Sequence, residues 1–477
     1  MRDTLWVRIV AWIVLAVLCV PIAVAYAFAV YDVGSGGGVG RATKTLRMAA
    51  LVLPVVVALA CVAWRDLRVR RARLSTAPVA WVRIIAATLG MLLVLVVALF
   101  TVSIDRGQPA APGPFYDAPS PLPAGAAGAV LRSESLPGAP AGAKAWRLLY
   151  LSTRLDGTPT AVSAILIVPN APAPAGGRPV VAWQHGAVGV GRNCAPSLRA
   201  NWAGFIDGLA LFVQQGYVVV STDYEGLGAS GSHGLLVGET AAKNVLDSVR
   251  AAHNFAEAGA GTRFAVWGES QGGHASLFTG EFAASYAPEM MLVGVAAVVP
   301  PTDLSALFDR NLGTTFGNVL ASFAFATWAR TYPDATLNQI ITPLAQPIVR
   351  NLAAYCFLEE RETLSILPGS LLTRVTFLSR PPKETEPWKR LLAENSPGQR
   401  RIPAPLLIAQ GAVDPLVRPD ITHAYAARIC AAGDTVEYRS YPGVGHVGSG
   451  KATAPDVVAW MNDRFAGKPP ARTCTGV

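Results

Sequence analysis

Residues 264–286, FAVWGESQGGHASLFTGEFAASY, carry the pattern that decides the fold. The apolar run Phe264–Trp267 is typical of a strand buried on both faces, and the residues from His274 onward have helical character. Between them lies Gly-Glu-Ser-Gln-Gly at 268–272, a Gly-x-Ser-x-Gly pattern in which serine occupies a sharp strand-to-helix turn. Small residues two before and two after the serine prevent clashes in this strained turn. The stretch therefore predicts an exposed nucleophile, Ser270.

Apolar, β-branched runs recur on both sides of this stretch and alternate with helical spacing, as at 197–216 and 239–259. This alternation predicts an α/β fold with a mostly parallel central sheet. Eight runs are predicted as strands: WRLLYLST, AVSAILIV, PVVAWQHG, YVVVSTDY, FAVWGES, LVGVAAVV, PAPLLIAQG and TVEYRSYPG. At about 301–399 the alternation lapses, and apolar helices predict a cap over the sheet. Its inner face would line an acyl pocket, although ordinary helix packing explains the same apolar side chains.

A serine hydroxyl needs a base to remove its proton, and the base needs a carboxylate to hold its tautomer. In the fold that uses this turn, the acid and then the histidine follow the serine along the chain. The last two predicted strands end in such candidates, Asp414 and His446. His423 is the other candidate for the base and Asp420 for the acid. Both belong to the next helical stretch, where His423 is expected at the surface and Asp420 at the N-cap. We predict that His446 is the base and Asp414 the acid.

Acyl transfer also needs backbone N–H donors aimed at the developing oxyanion. One predicted donor is Gln271, directly after the serine. The second is predicted in the loop after PVVAWQ, at Gly186 or Ala187, while His185 is expected to make a structural hydrogen bond.

No cofactor, metal ion or nucleic acid is expected. Residues 226–231, GLGASG, match the dinucleotide pattern Gly-x-Gly-x-x-Gly, but no apolar helix opens on the third glycine. No histidines or cysteines share a known metal-ligand spacing. After residue 104 the chain has 29 basic and 28 acidic residues, a balance that gives no support to nucleic-acid binding.

Residues 1–104 contain three uncharged apolar runs, 9–30, 48–64 and 84–104, each near the length that crosses a bilayer. They predict a membrane region with three transmembrane helices, although a cleavable signal peptide is the alternative for the first run. Six arginines between residues 65 and 83 favour the cytoplasmic side for that loop. The prediction is a multi-pass protein of the cell membrane with its catalytic domain on the extracytoplasmic side.

Residues 105–143 are rich in Pro, Gly and Ala and are predicted as a linker and leader, followed by a catalytic domain at 144–477. Four cysteines fall after the apolar runs: Cys194, Cys356, Cys430 and Cys474. An oxidising compartment would let them pair in any of three ways, and free buried thiols are the alternative.

Several further segments resemble the secretory lipase family of the α/β-hydrolase superfamily, over about Phe115 to Cys474. These segments are FYDAPSPLPAGAAGAVLRSE at 115–134, LLYLSTRLDGTPTAVSAILIVP at 148–169, CAPS at 194–197, TDYEGLG at 222–228 and WKRLLAENSPG at 388–398. The resemblance implies a helical cap with a lid, ester hydrolysis without a cofactor, and disulfides Cys194–Cys356 and Cys430–Cys474. Such lipases are usually soluble secreted proteins, and the three apolar runs depart from that pattern.

The expected function is a membrane-anchored serine esterase or lipase that cleaves lipid or acylglycerol esters through an acyl-enzyme. The expected partners are an ester or lipid substrate and the membrane that holds the N-terminal helices, and no oligomeric state is predicted. Three alternatives stay open: acyl transfer between envelope lipids, peptide cleavage on the same scaffold, and a non-catalytic membrane scaffold.

Overall fold

The strand that leads to Ser270 lies in the middle of a mixed sheet. The computed structural model describes residues 109–471 and residue 474, all within the unit Pro109–Val477. Among these residues nine strands form one sheet in the order β1-β2-β3-β5-β4-β6-β7-β8-β9. The strands are β1 Val130–Ser135, β2 Ala143–Thr153, β3 Pro159–Pro169, β4 Arg178–Gln184, β5 Val218–Thr222, β6 Ala260–Glu269, β7 Met291–Val298, β8 Leu406–Gly411 and β9 Val436–Tyr441.

Strands β5, β4, β6, β7, β8 and β9 are mutually parallel, whereas β1, β2 and β3 add an antiparallel edge next to β5. The eight predicted strands correspond to β2–β9, so the predicted α/β class with a mostly parallel sheet is confirmed. Strand β1 lies in the part of the sequence predicted as a linker and leader, and it pairs with β2. The five residues of β5 are all buried, which explains why this run has no polar alternation.

Helices cover both faces of the sheet and enclose two apolar core clusters. The α-helices described are α1 Leu209–Gln214, α2 Gly238–Asn254, α3 Gln271–Tyr286, α4 Leu304–Asn311, α5 Thr315–Thr331, α6 Gln346–Leu352, α7 Glu360–Val375, α8 Trp388–Glu394, α9 Pro419–Ala431 and α10 Ser449–Phe465. The helical spacing at 239–259 corresponds to α2.

The helical spacing at 197–216 predicts more helix than the structure contains. Only α1 is α-helical there, after short 3-10 turns at Pro196–Leu198 and Trp202–Phe205. Gly208 has φ 69° and ends the irregular part directly before α1. A left-handed residue interrupts a helix, and apolar spacing does not reveal it.

Helices α4 to α8 form a helical segment, residues 304–394, inserted between β7 and β8. It packs on the sheet domain in a shared apolar core, and specific polar and covalent contacts join the two as well. Cys356 forms a disulfide with Cys194 in the loop after β4, and buried Arg199 pairs with buried Glu362 of α7. The Trp328 indole donates to the carbonyl oxygen of Leu235 at 2.8 Å.

Both disulfides that the family resemblance implies, Cys194–Cys356 and Cys430–Cys474, are present. The second joins α9 to a residue beyond the last helix, α10. In residues 109–471 no helix combines the length and the apolar character needed to cross a membrane. The predicted spans 9–30, 48–64 and 84–104 lie outside the described residues.

Candidate active site

Ser270 occupies a strained turn between β6 and α3. Its backbone has φ 56° and ψ −118°, a combination that costs on the order of 1–3 kcal/mol for a residue with a side chain. The turn is held from two sides, because the Ser270 amide donates to Val298 of β7 at 2.9 Å and its carbonyl oxygen accepts from His274. Such a turn directs the serine side chain away from the sheet.

The glycines of the motif are required by close backbone contacts. A Cβ atom at Gly272 would lie 2.0 Å from the carbonyl oxygen of Gln184, the last residue of β4. A Cβ at Gly268 would lie 2.5 Å from the carbonyl carbon of Gly272. Backbone atoms cannot move aside as side chains do. The strand-to-helix turn at 268–272, called the elbow below, therefore fits against β4 only because Gly268 and Gly272 have no side chains.

The structure brings Ser270, His446 and Asp414 into one hydrogen-bonded chain. His446 Nε2 lies 2.9 Å from Ser270 Oγ, and His446 Nδ1 lies 2.7 Å from Asp414 Oδ2. An ionised carboxylate only accepts, so Nδ1–H donates to Asp414 and Nε2 is left to accept from the serine hydroxyl. The three residues follow β6, β8 and β9, whose carboxyl ends lie at the same edge of the sheet.

Asp414 is fixed by the backbone of its own loop. Its Oδ1 accepts from the amides of Leu416 at 2.8 Å and Val417 at 2.9 Å, and its side chain has no solvent exposure. The other oxygen is therefore free to face His446. His446 itself is 14% exposed and Ser270 is partly exposed, so this buried carboxylate supports a pair that a substrate can reach.

The predicted oxyanion residues lie beside the serine. Gln271 is the first residue of α3, where the helix has N–H groups without intrahelical partners. A Cβ at Gly186 would be 3.8 Å from the Ser270 Cβ, so the loop after β4 passes next to the nucleophile. Beyond Ala187 this loop is anchored on the helical segment, because Phe357 donates to Val188 at 3.2 Å.

One residue of the site escapes sequence reasoning, namely His233 in the loop after β5. The Gln271 side-chain amide lies 3.0 Å from His233 Nε2, and His233 Nδ1 lies 3.2 Å from the carbonyl oxygen of Glu225. The carbonyl requires a donor at Nδ1, so Nε2 accepts from Gln271. Tyr224, at φ 66°, stacks its ring on His233 and also contacts His185. No local pattern marks a residue 38 positions away from Gln271.

Buried imidazoles surround the site but stay neutral. Burial lowers the pKa of His185 to about 4 and that of His233 to about 3. His185 Nδ1 lies 2.7 Å from the carbonyl oxygen of Gly186, so the ring supports its own loop. His274 of α3 has its pKa lowered to about 4 by burial and contacts the carbonyl oxygen of Asn395. None of the three reaches Ser270 Oγ in a hydrogen bond.

The competing candidates are placed elsewhere. His423 is exposed on α9 against Tyr438, and Asp420 pairs with Arg418. Asp420 lies in the first turn of α9 rather than at its N-cap, which is Arg418, because Pro419 already begins the helix.

The glycines of the Gly-x-Gly-x-x-Gly match serve packing. A Cβ at Gly226 would be 2.1 Å from the backbone nitrogen of His233, and one at Gly228 would be 2.6 Å from the Tyr116 ring. Gly226, Gly228 and Gly231 all have positive φ. These glycines therefore allow the tight fold of the loop that brings His233 to Gln271.

A mostly parallel sheet with a serine at the strand-to-helix turn and an acid and a histidine after the later strands defines an α/β-hydrolase. Residues 208–473, more than half of the chain, match the model of the secretory lipase family. The chain belongs to the secretory lipase family and is an ester-hydrolysing enzyme.

The chain is similar to proteins from bacteria and fungi. A probable inactive lipase of Mycobacterium tuberculosis is 29% identical over 75% of this chain and 82% of the relative. A secreted triacylglycerol lipase of Malassezia globosa is 28% identical over 69% of this chain and 75% of its own length. The crystal structure of Candida antarctica lipase A in its closed state superposes with a TM-score of 0.64 at 22% identity, over 76% and 88% of the two chains, and shows the same fold.

The predicted location in the cell membrane is wrong. The family is described as secretory, and the Malassezia relative as secreted. These descriptions contradict the prediction of a multi-pass protein that is held in the membrane by its N-terminal helices. Length and hydropathy were the basis of that prediction, and neither distinguishes a permanent span from an apolar segment that directs export and is then removed.

Proposed function

We propose that this protein is a secreted serine lipase or esterase whose nucleophile is Ser270, with His446 as base and Asp414 as its orienting acid. The observation that supports it most is the continuous hydrogen-bonded chain from Ser270 Oγ through His446 to Asp414. These hydrogen bonds require the His446 tautomer that has its proton on Nδ1. In this tautomer Nε2 can accept the proton of the serine hydroxyl.

In the proposed reaction, Ser270 Oγ attacks the ester carbonyl carbon while His446 Nε2 takes the hydroxyl proton. The tetrahedral intermediate expels the alcohol, which receives that proton from His446, and an acyl-enzyme remains on Ser270. Water then loses a proton to His446 as it attacks the acyl-enzyme, and His446 returns this proton to Ser270 Oγ as the carboxylic acid leaves. Asp414 stabilises the imidazolium in both steps without being protonated.

The proposed oxyanion donors are the backbone amides of Gln271 and of Ala187 or Gly186. Gln271 is supported by its place at the first position of α3, and its side chain is held by His233. Gly186 and Ala187 are supported by the passage of their loop along Ser270. Loss of one such donor typically costs about 10²–10³ in rate.

The proposed substrates are lipid or acylglycerol esters. One relative is named a triacylglycerol lipase, and the helical segment has partly buried apolar side chains near the site, such as Phe357, whose amide donates to Val188 in the loop beside Ser270. An acyl chain gains about 0.8 kcal/mol for each CH₂ group removed from water, so an apolar lining favours longer acyl groups.

The test is hydrolysis of 4-nitrophenyl esters and tributyrin by wild-type enzyme and by Ser270→Ala. We expect the variant to lose at least about 10³-fold in kcat, since removal of the nucleophile leaves only oxyanion and binding contributions. A fluorophosphonate probe should label Ser270 in the wild type and nothing in the variant. Ser285→Ala, which removes an exposed serine of α3, is the matched control and should retain full activity and labelling.

The inactive relative makes the opposite result informative. If wild-type enzyme neither turns over any ester nor reacts with the probe, the catalytic proposal is wrong and a non-catalytic role takes its place. If Ser270→Ala hydrolyses esters as fast as wild type, the enzyme uses a different nucleophile.

A further inference from the structure

The residue directly before the nucleophile contacts the loop of the catalytic histidine. Ser449, the first residue of α10, donates its hydroxyl to Glu269 Oε1 at 2.8 Å. The backbone amide of Ser449 also approaches the carbonyl oxygen of His446, at 3.4 Å. Ser449 is fully buried, so water does not compete for this bond. Glu269 and Ser449 thus connect the elbow that presents Ser270 to the loop that presents His446.

A second carboxyl group lies beside Glu269. A Cβ atom placed on Gly450 would be 2.3 Å from Asp207 Oδ2 and 2.8 Å from Glu269 Oε2, so the two oxygens are at most about 5 Å apart. Burial, and then the negative charge of Glu269, raise the pKa of Asp207 to about 6, while Lys451 acts in the opposite direction. Asp207 therefore keeps a proton in mildly acidic solution, which limits repulsion between the two groups.

This arrangement lies at the amino end of a helix long enough to have an appreciable dipole. Helix α10 has 17 residues, and negative charge near its first turn is favourable. Gly450, in that first turn, leaves the space that the two carboxyl groups occupy, since any side chain there would collide with them. The chain thus accommodates a pair of acidic groups at the point where the nucleophile and the histidine loop meet.

We propose that Glu269 is a positioning residue for ester hydrolysis: by accepting from Ser449 it holds the loop 446–448 against the elbow, and the charge state of the neighbouring Asp207 carboxyl group determines how firmly it does so. The inference rests on the proposed roles of Ser270 and His446. Proton transfer between Oγ and Nε2 requires these atoms at hydrogen-bond distance, and a displacement of about 1 Å can cost about 10²-fold in rate. The Glu269–Ser449 bond joins residues 180 positions apart. In this proposal it sets the distance between Ser270 Oγ and His446 Nε2 without contacting either atom.

The first experiment compares Ser449→Ala, Glu269→Ala and Glu269→Gln in the full-length enzyme with 4-nitrophenyl butyrate. We expect Ser449→Ala and Glu269→Ala to lower kcat by about 10- to 100-fold with KM within about threefold, because the substrate site is intact but the proton transfer is misaligned. Glu269→Gln keeps an oxygen that accepts from Ser449 and should recover at least about a third of the wild-type kcat. A purely structural role would lower thermal stability without this pattern in kcat.

Two controls separate the proposal from general effects. Ser285→Ala and Glu257→Gln remove an exposed serine of α3 and an exposed carboxylate before β6, neither of which takes part in the Glu269–Ser449 contact, and both should retain wild-type kcat. If Ser449→Ala and Glu269→Ala fold and keep kcat within about twofold of wild type, the positioning role is wrong. Should Ser270→Ala remain active in the same assay, the proposed function fails instead, and the two failures are thereby distinguished.

The second experiment concerns Asp207 and uses the pH dependence of kcat. Wild-type Asp207 ionises near pH 6 and then adds a second negative charge beside Glu269, whereas Asp207→Asn stays neutral. The ratio of kcat in Asp207→Asn to that in wild type isolates the effect of the charge on Asp207, because the two proteins differ only in that side chain. We expect this ratio to rise about two- to fivefold between pH 5 and pH 7.5. A ratio that stays flat across this range would overturn the role of Asp207.

Discussion

The surroundings of Ser270 and the helical segment at 304–394 are held in different ways. Around Ser270 the backbone of β6 and α3 packs directly on the end of β4, with no room for one added carbon atom at Gly272. The helical segment instead packs on the sheet domain through apolar side chains of one core cluster, and a disulfide and a buried ion pair link residues far apart in sequence. The first region is held by direct backbone contact, while the second is held by side-chain packing and specific links.

This difference separates two tasks of the enzyme. The nucleophile and its partners need fixed distances of about 3 Å, which a sheet edge supplies. The helical segment contacts the loop after β4 rather than Ser270 itself, so it does not need the same fixed distances. The contrast predicts that a side chain added at the glycines of the elbow, Gly268 and Gly272, removes activity outright, and that loss of the disulfide of the helical segment has a smaller effect.

The largest effect is expected for Gly272→Ala. The added Cβ would lie 2.0 Å from the Gln184 carbonyl oxygen and 3.0 Å from that of His185, so the elbow must separate from β4. We expect little soluble protein, and at least about a 10³-fold loss of kcat in what does fold, because nucleophile and oxyanion loop move apart. Expression yield, circular dichroism and esterase activity measure this.

Gly204→Ala is the matched control. No atom lies within 4 Å of a Cβ built on Gly204, so the variant should be as stable and as active as wild type. If Gly272→Ala behaved like Gly204→Ala, the backbone fit at the elbow would not be the constraint that we infer.

An intermediate effect is expected when the disulfide of the helical segment is removed. In the chain-entropy model, Cys194–Cys356, with a separation of 162 residues, contributes about 5 kcal/mol, and Cys430–Cys474, with 44, about 4 kcal/mol. We expect the double variant Cys194→Ser/Cys356→Ser to unfold at lower temperature and lower urea concentration. It should also lose activity, because Gly189 pairs with Cys356 and lies in the loop beside the nucleophile.

The second disulfide sharpens the comparison. Cys430→Ser/Cys474→Ser should lower stability and leave kcat within about twofold, since Cys430 lies at the end of α9, shortly before the amino end of β9, whereas Ser270 lies at the carboxyl ends of the parallel strands. Equal losses of kcat in both double variants, measured well below their unfolding temperatures, would contradict the assignment of the first bridge to the site.

The smallest effect is expected at Glu281 of α3, where the nucleophile helix meets the chain that leaves the helical segment. Glu281 accepts from the amides of Gly398 at 2.5 Å and Arg400 at 3.3 Å, and burial raises its pKa to about 7. The folded state therefore retains a proton that the unfolded chain loses above about pH 4.5. Stability falls as pH rises from about 4.5 to 7, by on the order of 2 kcal/mol.

Glu281→Gln removes this titration. The difference between wild type and variant in the free energy of unfolding, from urea melts at pH 4.5, 6 and 7.5, should change with pH in that window and level off above it. Exposed Glu257→Gln should give a difference that does not vary with pH in this way. The prediction is wrong if the free energy of unfolding of wild type rises relative to that of Glu281→Gln as the pH increases from about 4.5 to 7.

Much of the sheet and the order of the site residues could be predicted from the sequence. Apolar runs such as that of β5 indicate strands because a strand buried on both faces excludes polar residues, which is a local property. The helix at 197–216 was overestimated, since apolar spacing does not register the left-handed Gly208. The three apolar runs before residue 105 led to a wrong location, because hydropathy is common to spans and to export segments.

The sequence by itself determined the α/β class and the placing of Ser270, Asp414 and His446 after β6, β8 and β9, since turn chemistry and strand periodicity act over a few neighbouring residues. Only the tertiary structure decided that His233 holds Gln271, that Glu269 and Asp207 meet at the start of α10, and that Glu362 neutralises Arg199. These contacts join residues 38 to 180 positions apart, or carboxyl groups from separate loops, and no local pattern encodes them. They exist because the order of strands in the sheet brings particular loops to one edge, where side chains of unrelated segments become neighbours.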